Sequence, residues 1–281
     1  MSAGVLRSAL WRLGFGTFER PTSRARAPAQ RTVWLVPREH GAYGQLALPL
    51  AVAHLSGTGG WAAWLFTLAA LAAFMSHEPL LVALGRRGNR ARSQAGSQAF
   101  RLLIVMAGIG SLAAAAGLAL GPSSARWSTL GCAFLAVLLA VQVARDAERS
   151  LLGELLVVAT LPALAVPVAL SVRVPTGTAV GAWLVWTLGF AAATCAVRDT
   201  VAHRKHGLPP SLRLAPLAVI VILAGSASAL GWLQRAQAVA LAPMLATLLA
   251  IVVRPPHPRH LRRVGWTFLV ASATTAMLLI L

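Results

Sequence analysis

The chain has 281 residues, of which 57% are hydrophobic and 11% charged, with a mean hydropathy of +0.71. A soluble domain carries about 25% charged residues, so the composition excludes a soluble enzyme, a coiled coil and a disordered chain. The net charge of +18, from 25 Lys+Arg against 7 Asp+Glu, sits in short clusters between long apolar runs. That is the pattern of membrane topology, and it sets nucleic-acid binding aside.

Residues 1–36 carry Arg7, Arg12, Arg20, Arg24, Arg26 and Arg31, with no apolar run long enough for a secretory signal. Val5, Leu6, Leu10, Trp11, Leu13 and Phe15 suit a short amphipathic surface helix, and Arg20–Arg31 reads as a disordered linker. The preferred reading is a basic cytoplasmic tail; an Arg-rich, acid-poor opening would also pass as a mitochondrial transit peptide.

Residues 37–281 form one transmembrane domain. A membrane-spanning helix needs about 20 mostly apolar residues, and nine runs qualify in chain order: Gly41–Ser56, Trp61–Leu84, Leu102–Leu120, Trp127–Ala144, Leu151–Val172, Ala179–Val197, Leu214–Leu230, Ala236–Val253 and Val264–Leu281. The first is short and holds His54 and Pro49. The predicted fold class is therefore an all-α polytopic membrane protein, about nine transmembrane helices in one bundle. Pro162, Pro167, Pro216 and Pro243 are expected to kink helices, which bundles tolerate. Cys132 and Cys195 fall inside apolar runs, so no disulfide framework is implied.

Placing the N-terminus inside puts 22 of the 25 Lys+Arg on the cytoplasmic side, leaving Arg126, Arg173 and Arg235 outside. This asymmetry predicts a cytoplasmic-membrane protein with its N-terminus in the cytoplasm. All seven acids lie on the arginine side, as do six of the seven histidines. Acids do not follow the positive-inside rule. Their one-sidedness points either to pairing with arginines at a wet interface or to a polar cavity opening to the cytoplasm.

Four stretches at these helix ends carry the candidate chemistry. Pro37-Arg38-Glu39-His40-Gly41-Ala42-Tyr43 opens the first span, where an anchoring role and a functional one weigh equally. In Ser76-His77-Glu78-Pro79, either the second span ends near Met75 and Glu78 is wet, or Glu78 lies within the hydrocarbon depth, where an ionisable group is functional by default. Arg145-Asp146-Ala147-Glu148-Arg149-Ser150 leads to Glu154, which a clean apolar run follows; Glu154 is expected to face a bundle or cavity. The last runs from Arg198 to Gly207, with Asp199 and His203 at i and i+4 on one helix face. That spacing suits a metal or an oriented imidazole, but no HExxH or CxxC pattern accompanies it, so no metal site is assigned. There is no Gly-rich phosphate loop and no GxSxG elbow.

These segments resemble a known family. Pro37–Tyr43 is similar to the P-[KR]-[EQ]-H-G-A-W start of the YwiC-like membrane proteins. Residues 145–155 resemble that family's R-x-x-E-R-S-L-L-x-E-L stretch, and Arg198 with its basic run resembles its third charged patch. A more distant resemblance is to the UbiA-type intramembrane prenyltransferases, whose two Asp-rich motifs hold Mg²⁺ and an isoprenoid diphosphate. Val197–Gly207 resembles their second motif, D-x-x-x-D-x-x-x-G, with Asp199 and Gly207 in step and His203 in place of the second aspartate; only His77-Glu78 stands near the place of the first. The cofactor is open: Mg²⁺ is what this resemblance implies, yet its Asp-rich motifs are not intact.

The sequence thus leads to a UbiA-like arrangement and a transferase acting on a prenyl or lipid-linked anionic substrate. Glu154 and Asp199 are the expected acid/base residues. Glu39, His40, Glu78, Arg145, Glu148, Arg149, Arg198 and His203 are the expected substrate-binding residues, with the arginines on the anionic head group. The competing classes are a small-molecule transporter, against which no inverted repeat is visible, and a scaffold subunit binding partners or lipid heads through charged loops.

Overall fold

The computed structural model describes residues 35–37, 40–145, 147, 150–207 and 209–281, and of residues 40, 204–206, 210 and 258 the backbone only. The predicted tail, with its surface helix, lies outside these residues up to position 34. Among the described residues every regular element is helical. In chain order these are α1 His40–Leu55, α2 Trp61–Ala83, α3 Asn89–Leu120, α4 Ser123–Ala144, α5 Leu151–Ala163, α6 Ala165–Ser171, α7 Thr176–His206, α8 Pro210–Ala229, α9 Arg235–Val253 and α10 Leu261–Ile280, with one short 3₁₀ turn at Pro258–His260.

Eight of these segments are long and apolar enough to cross a membrane, counting α5 and α6 as one span, Leu151–Ser171. With the 16-residue α1 they fill the nine predicted places. Large apolar side chains on α3, α4 and α8, such as Ile104, Leu112, Phe134 and Ile222, point outward. In water such a surface would aggregate; against lipid tails it is the ordinary exterior of a bundle. The protein is a multi-pass membrane protein.

The break at Leu164 has a local cause. Pro167 has no N–H for the carbonyl of Ala163, four residues earlier. The Cys132 thiol of α4 donates to that carbonyl instead, at 3.2 Å, and so satisfies the freed acceptor. Cys132 and Cys195 are both free thiols.

Two apolar cores organise the bundle. One gathers Val52 of α1, Val158 of α5, Trp186 and Phe190 of α7, and residues of α8, α9 and α10. The other gathers Leu46 and Leu50 of α1, Phe66 and Phe74 of α2, Ala125 of α4, and Leu161 and Val168 of the broken span. Helix α1 serves both and packs against α5, α6, α7 and α10. Helix α9 lies against both α7 and α10. Its approach to α7 depends on glycine: a Cβ at Gly189 would strike the Met244 sulfur, and one at Gly181 the Gln237 amide.

Helix ends on the arginine side are deliberately closed. Ser150 Oγ accepts from the Gly153 N–H at 3.0 Å, an N-cap that starts α5 and sets Glu154 in its first turn. Arg86 Nη2 donates to the Ala144 carbonyl at 2.8 Å, closing the C-terminus of α4. Gly207, at φ +60°, ends α7 in the left-handed conformation that glycine adopts without strain.

Candidate functional site

At the arginine-rich end, α1, α4, α5, α7 and α10 line an open cavity of about 1080 Å³. Ligand sites commonly run about 300–1,000 Å³, so the space suits a large, lipid-sized occupant. Its charged lining residues are Arg87, Glu154, Arg198 and Arg262, and His77, Gln45, Thr194 and Ser272 are polar ones. Leu48, Val157, Phe190 and Phe268 are among its apolar lining residues. Phe190 precedes Arg198 by two turns of α7, so the lining extends roughly 12 Å along that helix at 1.5 Å per residue.

Each described acid at this end meets an arginine, in three different settings. Glu78 lies inside α2 and is fully buried. It accepts from Arg87 through both oxygens, Nε to Oε1 at 2.9 Å and Nη2 to Oε2 at 2.6 Å. This fork-to-fork pair carries Arg87 to the cavity lining and settles the two sequence readings in favour of a buried Glu78. Span 2 does not end near Met75.

Glu154 of α5 pairs with Arg198 of α7 at 2.7 Å across the cavity wall, with side chains 36% and 41% exposed. A pair this wet contributes about 0–1 kcal/mol to the fold. It is held by position and can change partner at little cost.

Asp199 is not in the lining of this pocket, although the sequence put it beside Glu154 as an expected acid/base residue. Successive residues on a helix point about 100° apart, so with Arg198 on the cavity Asp199 faces α8. There it receives Arg213 Nε at 3.0 and 3.1 Å and Nη2 at 2.8 Å, in a buried pair; Nη2 also reaches the Ile251 carbonyl of α9 at 3.4 Å. The pair ties α7, α8 and α9 together. His203, one turn on from Asp199, is half-buried with its Nδ1 unpartnered, and it too is absent from the cavity lining. Arg145 caps the end of α4 in an exposed position away from the lining.

Glu39, Glu148 and Arg149 lie outside the described residues. His40 begins α1, and the residues that follow it, Gly41, Ala42, Gly44 and Gln45, form part of the cavity wall. The entrance to α1 is fastened by Tyr43, whose hydroxyl donates to the Pro37 carbonyl at 3.0 Å and whose ring packs edge-on against Phe74. His77, Arg87 and Arg262 line the cavity and Arg213 pairs with Asp199, and none of the four was among the expected site residues. His77 stood beside Glu78 in the second motif, which was its one available signal; the arginines registered only as topology charges.

Among the described residues no group of three His, Cys, Asp or Glu side chains is placed to hold a metal. Both oxygens of Glu78 and both of Asp199 already accept from guanidinium groups. Mg²⁺ needs near-octahedral oxygen ligands, usually with carboxylates among them. The described donor set does not fit the Mg²⁺–diphosphate cluster that the UbiA-type resemblance implies.

The family model described as YwiC-like protein matches residues 36–170. Over that stretch the chain is similar to the YwiC-like proteins. The matched region supplies the walls from α1, α4 and α5 together with His77, Arg87 and Glu154, while Arg198 and Arg262 come from beyond it. No curated protein and no solved structure matches the chain.

Proposed function

We propose that this protein takes a prenyl or lipid-linked anionic substrate into the cavity and acts on it as a transferase, with Glu154 as the acid/base residue. The observation that carries the reading is the cavity itself: an apolar chamber among membrane-spanning helices with Arg87, Arg198 and Arg262 in its lining. A lipid chain would occupy the apolar part and its head group would meet the arginines, whose planar donors suit phosphate and carboxylate. Glu154 is favoured over Asp199 because it lines the cavity and its single ion pair is half-exposed. The cavity is proposed to face the cytoplasm, a reading supported by the 22 Lys+Arg that fall on this side of a nine-span topology.

Lipid extraction of the purified protein followed by mass spectrometry tests this. The expected result is one anionic amphiphile enriched over the bulk lipid composition, and diminished when Arg198 and Arg262 are both changed to Gln. Recovery of bulk lipids only, identical in wild type and variant, would overturn the reading. Substrate accumulation in sealed vesicles, without chemical change, would assign the protein to the transporters instead.

A further inference from the structure

Resting on that amphiphile-binding reading, we infer that the substrate's apolar chain follows α7 into the bundle and ends against the stacked rings of Phe190 and Trp186, a floor that sets the longest chain the cavity accepts.

Two separate spaces are lined by the same helices in the same order. The large cavity is bounded on α1 by positions from Gly41 to Leu48, on α5 by Glu154, Val157 and Val158, on α7 by positions from Arg198 back to Phe190, and on α10 by positions from Arg262 to Ser272. A second space, of about 40 Å³, continues these walls toward the opposite end of the bundle. It begins at Pro49 on α1, Pro162 on α5, Trp186 on α7 and Leu279 on α10. Among the described residues the two spaces share none of their lining.

The partition between them is packed side chain. On α7 the lining changes over between Phe190 and Trp186, whose rings stack with centroids 5.3 Å apart and planes inclined by 20°. The two residues are 4% and 2% exposed, and Val52 of α1 and Val158 of α5 join them in one buried cluster. Protein interiors are close-packed, so a chain cannot thread past without displacing a ring. Phe190 lies eight positions along α7 from Arg198, and Ser272 lies ten along α10 from Arg262. At 1.5 Å per residue the floor stands roughly 12–15 Å from the level of the two arginines.

A second course is open to the chain. Trp266 and Leu269 of α10 line the cavity and are 57% and 43% exposed, so one flank gives onto the exterior of the bundle. The lining favours the inward course. Leu48, Val157, Val158 and Phe190 present apolar surface between the arginines and the floor. A chain lying in the bilayer gains nothing over its lipid neighbours, whereas one in the chamber supplies the dispersion contacts that an unfilled space forfeits.

A photoreactive probe locates the chain end. Farnesyl phosphate with a diazirine at the far end of its chain is equilibrated with the full-length protein in lipid nanodiscs and irradiated. Labelled residues are read by mass spectrometry, with and without excess farnesyl phosphate. Competable label is expected on Leu48, Val158, Phe190 or Ser272, at least tenfold above that on the outward faces of α3 and α4. Unlabelled geranyl, farnesyl, geranylgeranyl and solanesyl phosphates then serve as competitors. Their potency is expected to fall at least tenfold at one step of lengthening, and Trp186→Leu should move that step to a longer chain. Competable label on Trp266 and Leu269 with the floor bare, or no such fall along the series in the wild type, overturns this inference and leaves the amphiphile reading standing. Absence of any competable label overturns both. Should Trp186→Leu fail to fold, Trp186→Phe takes its place: it trims the ring and gives up no hydrogen bond, because the buried indole N–H has no acceptor among the described residues.

Discussion

Removing one partner of the Asp199–Arg213 pair should destabilise the bundle by several kcal/mol. Both side chains are less than a tenth exposed, and three donor–acceptor contacts of 2.8–3.1 Å join them. Asp199→Asn keeps the shape but leaves a guanidinium buried against a neutral amide. Breaking a buried pair in this way costs about 3–5 kcal/mol, whereas replacing both partners by apolar residues is often neutral or stabilising. At roughly 2–4 °C per kcal/mol for a chain of this size class, the single variant should melt on the order of 10 °C lower. The double variant Asp199→Leu/Arg213→Met should recover most of that loss. The protein contains its own reporter: Cys132 is buried and Cys195 half-buried, so a thiol-reactive dye lights up on unfolding. If Asp199→Asn melts within about 2 °C of wild type, or if the double variant is as unstable as the single, the pair does not hold α7, α8 and α9 together.

Glu154→Gln should insert and melt near normally, within about 1 kcal/mol of wild type, because its ion pair is half-exposed; loss of the variant from the membrane would make that charge structural. Gly189→Val should lower the melting temperature of the purified protein by an overpacking cost of about 1–3 kcal/mol, since its side chain would collide with Met244; an unchanged melting curve would mean that α7 and α9 part easily. Reporter fusions after Lys205 and after Gln234 should read opposite sides of the membrane, with the first cytoplasmic; the same side for both would break the nine-span order.

The span pattern was legible because hydropathy and the arginine asymmetry are both sums over many residues. Helix ends were less so. The third span reads as Leu102–Leu120, yet α3 begins at Asn89. The extra turns, rich in Arg, Gln and Ala, favour helix strongly but carry no apolar signal. The site was legible as a set of motifs, not as a set of contacts. Arg198 and Asp199 are neighbours in sequence, and only the rotation of α7 against α5 and α8 decides which faces the cavity. Arg213 could not be paired with Asp199 from spacing, because the turn between them separates two helices.

Burial sorts the roles of the three described acids at the arginine-rich end. Glu78 and Asp199 sit where water does not reach, so each holds an arginine through both oxygens and neither can release it without leaving a charge bare. Such groups fix helices and aim side chains. Catalysis asks for the opposite property, a carboxylate whose partner and proton can change at a cost near that of ordinary solvation. Glu154 has it, with one contact, partial exposure and a place on the cavity wall. Counting acids in a motif ranks Asp199 first. The cost of disturbing each one ranks it last, and that cost follows from where its helix turns it.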